Sequence, residues 1–155
     1  RAASSSGRRA RCRVRLMFLL DTNVVSELRK AGAGRADPGV VQWATSVPTA
    51  AMFIAAVTLY ELEYGIRLVE RRDTRQGSVL RAWMTDDVIP AFHGRVLAVN
   101  QQIAIAAAGF DVPDRGQFRD TLIGATAVAH RLTLVTRNVA DFQSSGVKLI
   151  NPWDE

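Results

Sequence analysis

The 155 residues hold one cysteine and two histidines, and each scarcity excludes a chemistry. Cys12 alone cannot build an intrachain disulfide framework or a multi-thiolate metal site. His93 and His130 have no partner at ligand spacing, so core or surface roles are expected of them rather than metal binding or catalysis. Long apolar runs are missing as well. The longest, Ala50 to Val57, stops at eight residues, far short of the ~20 that cross a bilayer. Leu16 to Leu20 is too short for the core of a signal peptide and is closed at once by Asp21. What remains is a globular composition, 48% apolar and 23% charged, at the size of one domain. A cytoplasmic protein with no membrane segment is expected.

Acidic residues are absent from one region only. Residues 1–16 carry six arginines and no acid, which leaves 14 of the 20 basic side chains against all 15 acidic ones from Met17 onward. The net charge of +5 and the pI near 10.3 therefore belong to that Ser-, Ala-, Gly- and Arg-rich segment and not to the domain. It reads as a disordered basic tail. Met17 opens a well-formed strand pattern and is taken as the natural start, with residues 1–16 an appended or upstream segment and 17–155 the domain. The other reading of the tail is a basic arm that grips phosphates.

From Leu16 the chain alternates short apolar runs with helical periodicity. Strands are expected at Leu16–Leu20, Met52–Val57, Arg95–Val99, Leu132–Thr136 and Val147–Ile150. Between them fall helices over Val24–Arg29, from Asp37-Pro38, over Thr58–Arg71 with the stripe Leu59, Leu62, Ile66 and Val69, over Arg75–Met84, Gln101–Ala108 and Asp120–His130. Asp111–Gly116 is a loop. Strands alternating with helices predict an α/β fold: a parallel sheet of about five strands with helices on both faces.

In such a sheet, ligand chemistry gathers at the carboxyl ends of the strands. Asp21 ends the first strand; Glu61 falls in the first turn after the second; Asp120 begins the helix that leads into the fourth; Thr136-Arg137-Asn138 ends the fourth, with Asp141 three residues on. Like charges so close cannot all stay ionised without a compensating cation. Oxygen ligands without His or Cys select Mg²⁺ or Mn²⁺, and an ion held openly by carboxylates suits hydrolysis of a phosphodiester. Each residue also has a structural reading. Asp21-Thr22-Asn23 fits an Asx turn, Thr58-x-x-Glu61 a capping box, Asp120 a helix N-terminal acid, Asn138 a cap and Asp141 a solvated acid.

These residues also carry a family likeness. Phe18-Leu-Leu-Asp-Thr-Asn-Val-Val-Ser-Glu27, Thr58-Leu-Tyr-Glu-Leu-Glu-Tyr-Gly65, Arg119-Asp-Thr-Leu-Ile-Gly-Ala-Thr-Ala127, Leu134-Val-Thr-Arg-Asn-Val-Ala-Asp-Phe142 and Asn151-Pro-Trp153 occur in order. In this the chain resembles PIN-domain ribonucleases of the VapC toxin type, especially the FitB-like branch. The resemblance implies that Asp21, Glu61 and Asp120 are the ligands of Mg²⁺ or Mn²⁺, with Asp21 and Asp120 closest to the ion. Asn138 stands where the family often has a fourth acid, with Asp141 the only carboxylate nearby. Thr22, Asn23 and Thr136 would orient water or substrate, and Arg119 and Arg137 would contact RNA phosphates. A VapB-like antitoxin, an RNA substrate and a homodimeric assembly are implied with them.

The expected function is therefore a Mg²⁺-dependent endoribonuclease and toxin; the alternative is a catalytically weak PIN-fold module that acts by binding an antitoxin or a nucleic-acid-binding partner. A haloacid-dehalogenase-like phosphatase needs an Asp where Asn23 stands, and a dinucleotide-binding domain needs a glycine-rich first turn that Asp-Thr-Asn does not supply. Trp43, Tyr60 and Tyr64 are expected to pack, with exposed apolar surface on their helices available for a partner.

Overall fold

Short runs of Val, Leu, Ile and Phe with no polar face can serve as strands only where helices cover them on both sides. In the computed structural model, which describes residues 15–154, they do. β1 (Phe18–Leu20), β2 (Met52–Ala55), β3 (Val96–Leu97), β4 (Thr133–Val135) and β5 (Leu149–Ile150) pair in the order β3-β2-β1-β4-β5, all parallel. Leu19 lies beside Phe53 on one side and Leu134 on the other. The tail expected over residues 1–16 falls outside the described residues except for Arg15 and Leu16.

The helices are α1 (Thr22–Arg29), α2 (Pro38–Ser46), α3 (Ala56–Arg72), α4 (Thr74–Trp83), α5 (Ile89–Ala91), α6 (Gln101–Phe110) and α7 (Phe118–Ala129). A π-helical turn, Met84–Val88, joins α4 to α5, and a 3₁₀ segment, Val139–Ser145, links β4 to β5. Alternation along the strands divides the core. Phe18, Leu20 and Ile54 pack with Val24, Trp43, Leu62 and Ile66 on one face; Leu19, Ala55 and Leu134 pack with Ile123, Ala127 and Phe142 on the other. Trp43 meets Phe18 edge-on, ring centroids 5.5 Å apart. Ile103, Ala107 and Ala125 close a third cluster where α6 meets α7. No helix among the described residues is long and apolar enough to cross a membrane.

The expected elements occur in the expected order, with the unexpected short α5 between α4 and β3. All five strands are shorter than expected, and α1, α3, α4 and α7 start earlier, while α2 and α6 start where expected. The apolar run Ala50–Val57 is divided, its last two residues forming the first turn of α3, because a short apolar stretch carries no period that tells strand from helix. α1 likewise starts at Thr22 and α7 at Phe118. The chain runs from β1 outward to β2 and β3, then returns to the opposite side for β4 and β5. The direction reverses between β1 and β4, which opens a crevice at their carboxyl ends.

α3 and α4 form a close antiparallel pair at Gly77, where an added Cβ would stand 2.6 Å from the Glu70 Cγ and 2.7 Å from its Cα. Glycine to alanine in a helix ordinarily gains up to ~1 kcal/mol, but a backbone clash reverses the sign. Gly77→Ala should lower stability by about 2 kcal/mol in urea unfolding. Gly65→Ala, where nothing lies within 4 Å of the added carbon, should leave it unchanged or raise it. Equal behaviour of the two variants would contradict this packing.

Candidate active site

β1 and β4 deliver the centre of the site directly. The Asp21 N–H donates to the Val135 carbonyl at 3.0 Å, and the Thr136 N–H to the Ile150 carbonyl at 3.0 Å, so both residues are fixed by the sheet. Asp21 is 4% exposed and caps α1: its Oδ1 accepts from the Thr22 N–H at 2.7 Å. Its Oδ2 accepts from the fully buried Thr136 hydroxyl at 2.7 Å and from Asn23 Nδ2 at 3.2 Å. Thr136 Oγ1 accepts in turn from the Asn138 N–H at 3.0 Å and Asn23 Nδ2 at 3.3 Å, which uses its whole capacity. Asn23 Oδ1 takes the Arg137 N–H at 3.3 Å. Burial is the main force pushing the Asp21 carboxyl upward, the Glu61 charge adds to it, and the donors from Thr136, Thr22 and Asn23 pull it back.

Glu61 and Asp120 come from the two helices that flank this centre. Thr58 is not the cap of α3: the helix begins two residues before it, its buried hydroxyl has no partner among the described residues, and the capping box, the structural alternative for Thr58 and Glu61, does not form. Glu61 instead accepts a hydrogen bond from the Thr22 hydroxyl and forms an ion pair with Arg119, Nε to Oε1 3.1 Å. Asp120, half-buried in the first turn of α7, has no hydrogen-bond or ion-pair partner among the described residues. Its carboxyl is pushed up to about 6, first by burial and then by the charges of Asp21, Asp141 and Glu61, against a smaller pull from Arg119.

These groups surround a cleft of about 390 Å³ lined by Asp21, Thr22, Asn23, Ser26, Glu61, Tyr64, Arg119, Asp120 and Asn138. The remaining residues expected here are placed differently. Asp141 is exposed on the 3₁₀ segment and borders an adjoining depression that shares Asp120 with the cleft. Arg137 turns its guanidinium over the Trp153 ring, 5.5 Å from the centroid, and lies outside the cleft lining. Tyr64 and Tyr60, expected to pack, are 48% and 57% exposed and stack on each other, while Trp43 is buried as expected. Ser26 and Tyr64 are the cleft residues that sequence reasoning missed. Tyr64 follows Glu61 by three positions, so helical spacing already put the two on one face.

All donors in the cleft are oxygen or amide groups, the set that suits a hard cation such as Mg²⁺ or Mn²⁺. Among the described residues, no three His, Cys, Asp or Glu side chains stand close enough together to hold one ion. Each acid of the cleft keeps open lone-pair directions: Asp120 has no partner among the described residues, Glu61 has one contact on each oxygen, and Asp21, with three of roughly four directions filled, keeps one on Oδ1. Two carboxylates still fit Mg²⁺, which keeps several waters and is commonly held by one or two carboxylates together with substrate phosphates.

The PIN domain family model matches residues 18–144. The chain is 32% identical over 143 residues to VapC ribonuclease Y4jK of Sinorhizobium fredii, covering 89% of this chain and 99% of that one. It is 32% identical over 145 residues to toxin FitB of Neisseria gonorrhoeae, covering 90% and 100%. The crystal structure of FitAcB from Neisseria gonorrhoeae superimposes with a TM-score of 0.80 at 30% identity, over 90% of this chain and all of that one.

The raised pKa of Asp120 means that the folded state binds its proton more tightly than the unfolded chain does. Its ionisation therefore lowers stability as pH rises from about 4 to about 6. After discounting for partial exposure, Asp120→Asn should stabilise the metal-free protein by roughly 1 kcal/mol at pH 7, a Tm gain of about 3 °C, and by nothing at pH 4. A loss of stability at pH 7 would contradict the assignment.

Proposed function

The chain belongs to the PIN domain family, and we propose that within it the chain is a Mg²⁺-dependent endoribonuclease, the toxin of a VapBC-like toxin–antitoxin pair. One observation carries the reading: a half-buried Asp120, without a partner among the described residues, faces the same cleft as a buried, donor-bound Asp21. Neither residue has a structural task that needs a carboxylate there; Asp21 could cap α1 as Asn or Ser. The likeness to a ribonuclease and a toxin over nine-tenths of the chain supplies the substrate class and the biological role.

Asp120 and the remaining lone pair of Asp21 would hold the ion, with Glu61 close by and the Asn138 side chain exposed at the rim to offer a carbonyl oxygen. When bound, Mg²⁺ polarises the phosphoryl oxygen and makes a nucleophile of water at neutral pH. Thr136 and Asn23 keep the Asp21 carboxylate in one orientation. Arg119 supplies positive charge at the mouth of the cleft, where RNA phosphates would enter. In-line displacement by water leaves a 5′-phosphate and a 3′-hydroxyl.

A VapB-like antitoxin would cover the cleft. Exposed Tyr60 (57%) and Phe118 (61%) supply apolar surface beside it for the antitoxin or for the second subunit of a homodimer. An RNA substrate implies a cytoplasmic site of action. The catalytically weak binding module remains the competing reading, favoured by Asn138 in place of an acid and by the engagement of both Glu61 oxygens.

Purified chain free of antitoxin should cleave RNA with Mg²⁺ and stop on chelation. Asp21→Asn and Asp120→Asn should each reduce the rate at least ~100-fold while retaining native circular dichroism. Cleavage that persists in both folded variants would refute the site, and no cleavage with any divalent metal would favour the binding module.

A further inference from the structure

Both oxygens of Glu61 are occupied by this chain's own groups, Thr22 on one and Arg119 on the other. Arg119 directly precedes Asp120 in the first turn of α7, and its charge reaches Asp120 as well as Glu61. One guanidinium therefore neutralises part of the negative charge that a divalent ion would otherwise neutralise. The pair is half open, with the Arg119 side chain 47% exposed and Glu61 18%, and ion pairs of that exposure are readily exchanged. Nε and Oε1, 3.1 Å apart, are the closest atoms of the pair, and the guanidinium makes no hydrogen bond of good geometry among the described residues. Arg119 also borders a second cavity, about 470 Å³, lined by Val57, Tyr60, Gln117, Phe118 and Leu122, so the side chain has space to move without leaving the mouth of the acid cleft.

We propose that Arg119 is a built-in counter-cation: in the metal-free protein it pairs with Glu61 and weakens that carboxylate's hold on a divalent ion, and when such an ion and an RNA phosphodiester bind together it exchanges Glu61 for the phosphate. This rests on the metal-dependent ribonuclease reading above. A guanidinium and a divalent cation compete for the same carboxylate and repel each other, so each weakens the other's hold on Glu61. A phosphodiester offers the guanidinium a replacement partner with matching bidentate geometry. Coupling of this kind is reciprocal: a phosphate that draws Arg119 away strengthens the ion site, and an ion on Glu61 frees Arg119 for phosphate. Arg119 is thus a positioning residue for Glu61 before it contacts substrate.

The test is Mn²⁺ binding to the purified chain without RNA, followed by the electron paramagnetic resonance signal of the free ion. Arg119→Gln should tighten Mn²⁺ binding about fivefold or more, and the same variant should cleave RNA at least about tenfold more slowly at saturating Mn²⁺. Unchanged or weakened Mn²⁺ binding in Arg119→Gln overturns the inference; undiminished cleavage overturns the exchange onto phosphate. In a Glu61→Gln background the tightening should shrink below twofold, and a full gain there would mean that Arg119 does not act through Glu61, which also overturns it. Asp120→Asn in the same titration separates this inference from the reading beneath it. If Asp120→Asn abolishes Mn²⁺ binding and Arg119→Gln has no effect, only the Arg119 inference fails; if neither substitution alters Mn²⁺ binding, the ion site itself fails.

Discussion

A carboxylate buried at the carboxyl end of the central strand is costly unless donors converge on it. Asp21 is buried to 4% exposure, and the surrounding residues are arranged to supply those donors: the Thr22 N–H from the turn after β1, the Thr136 hydroxyl from the end of β4 and the Asn23 amide from α1. Three donors pull against the desolvation, yet burial still pushes its carboxyl upward. The arrangement keeps Asp21 in place without neutralising it. Asp120, with no donor among the described residues, carries the larger imbalance into the open cleft.

The topology makes this meeting of distant residues unavoidable. Reversal of the strand order between the parallel β1 and β4 brings the residues that follow both strands to the same crevice, 115 positions apart in sequence at the Thr136–Asp21 hydrogen bond. α1 begins with Asp21 as its cap, and Asp120 stands in the first turn of α7. Helix N-termini favour negative charge, so the fold tolerates there a density of acids that would be expelled elsewhere. Ile123 and Ala127 pack α7 on the sheet with Leu19 and Leu134, while Ala125 faces α6 and Gly124 faces Phe142 and Ser145 of the 3₁₀ segment.

Much of this was legible in the chain. Apolar runs too short to be helices, alternating with helical stripes, implied the parallel sheet, and the acids at the run ends implied the crevice. Boundaries were less legible, because Ala50–Val57 is apolar throughout and no period marks where β2 becomes α3. That slip mattered for Thr58, which offered a cap as one reading and is a buried helical residue whose hydroxyl has no partner among the described residues. The role of Glu61 was also out of reach: spacing places it at the rim, but only the three-dimensional positions of Thr22 and Arg119 show that both its oxygens are engaged. Arg137 illustrates the same limit, since its neighbour Trp153 lies 16 positions away and draws the guanidinium out of the cleft. Tyr60 and Tyr64, by contrast, were misjudged from residue type, although their spacing already set them opposite the buried stripe of Leu62 and Ile66.

The account stands on the carboxylates of Asp21 and Asp120 sharing a divalent cation. Crystals grown with Mn²⁺ and measured at its absorption edge test this most directly. An anomalous peak within about 2.5 Å of an oxygen of both Asp21 and Asp120 is the expected result. A well-ordered cleft with no peak at saturating Mn²⁺, or a peak bound by neither residue, would contradict it.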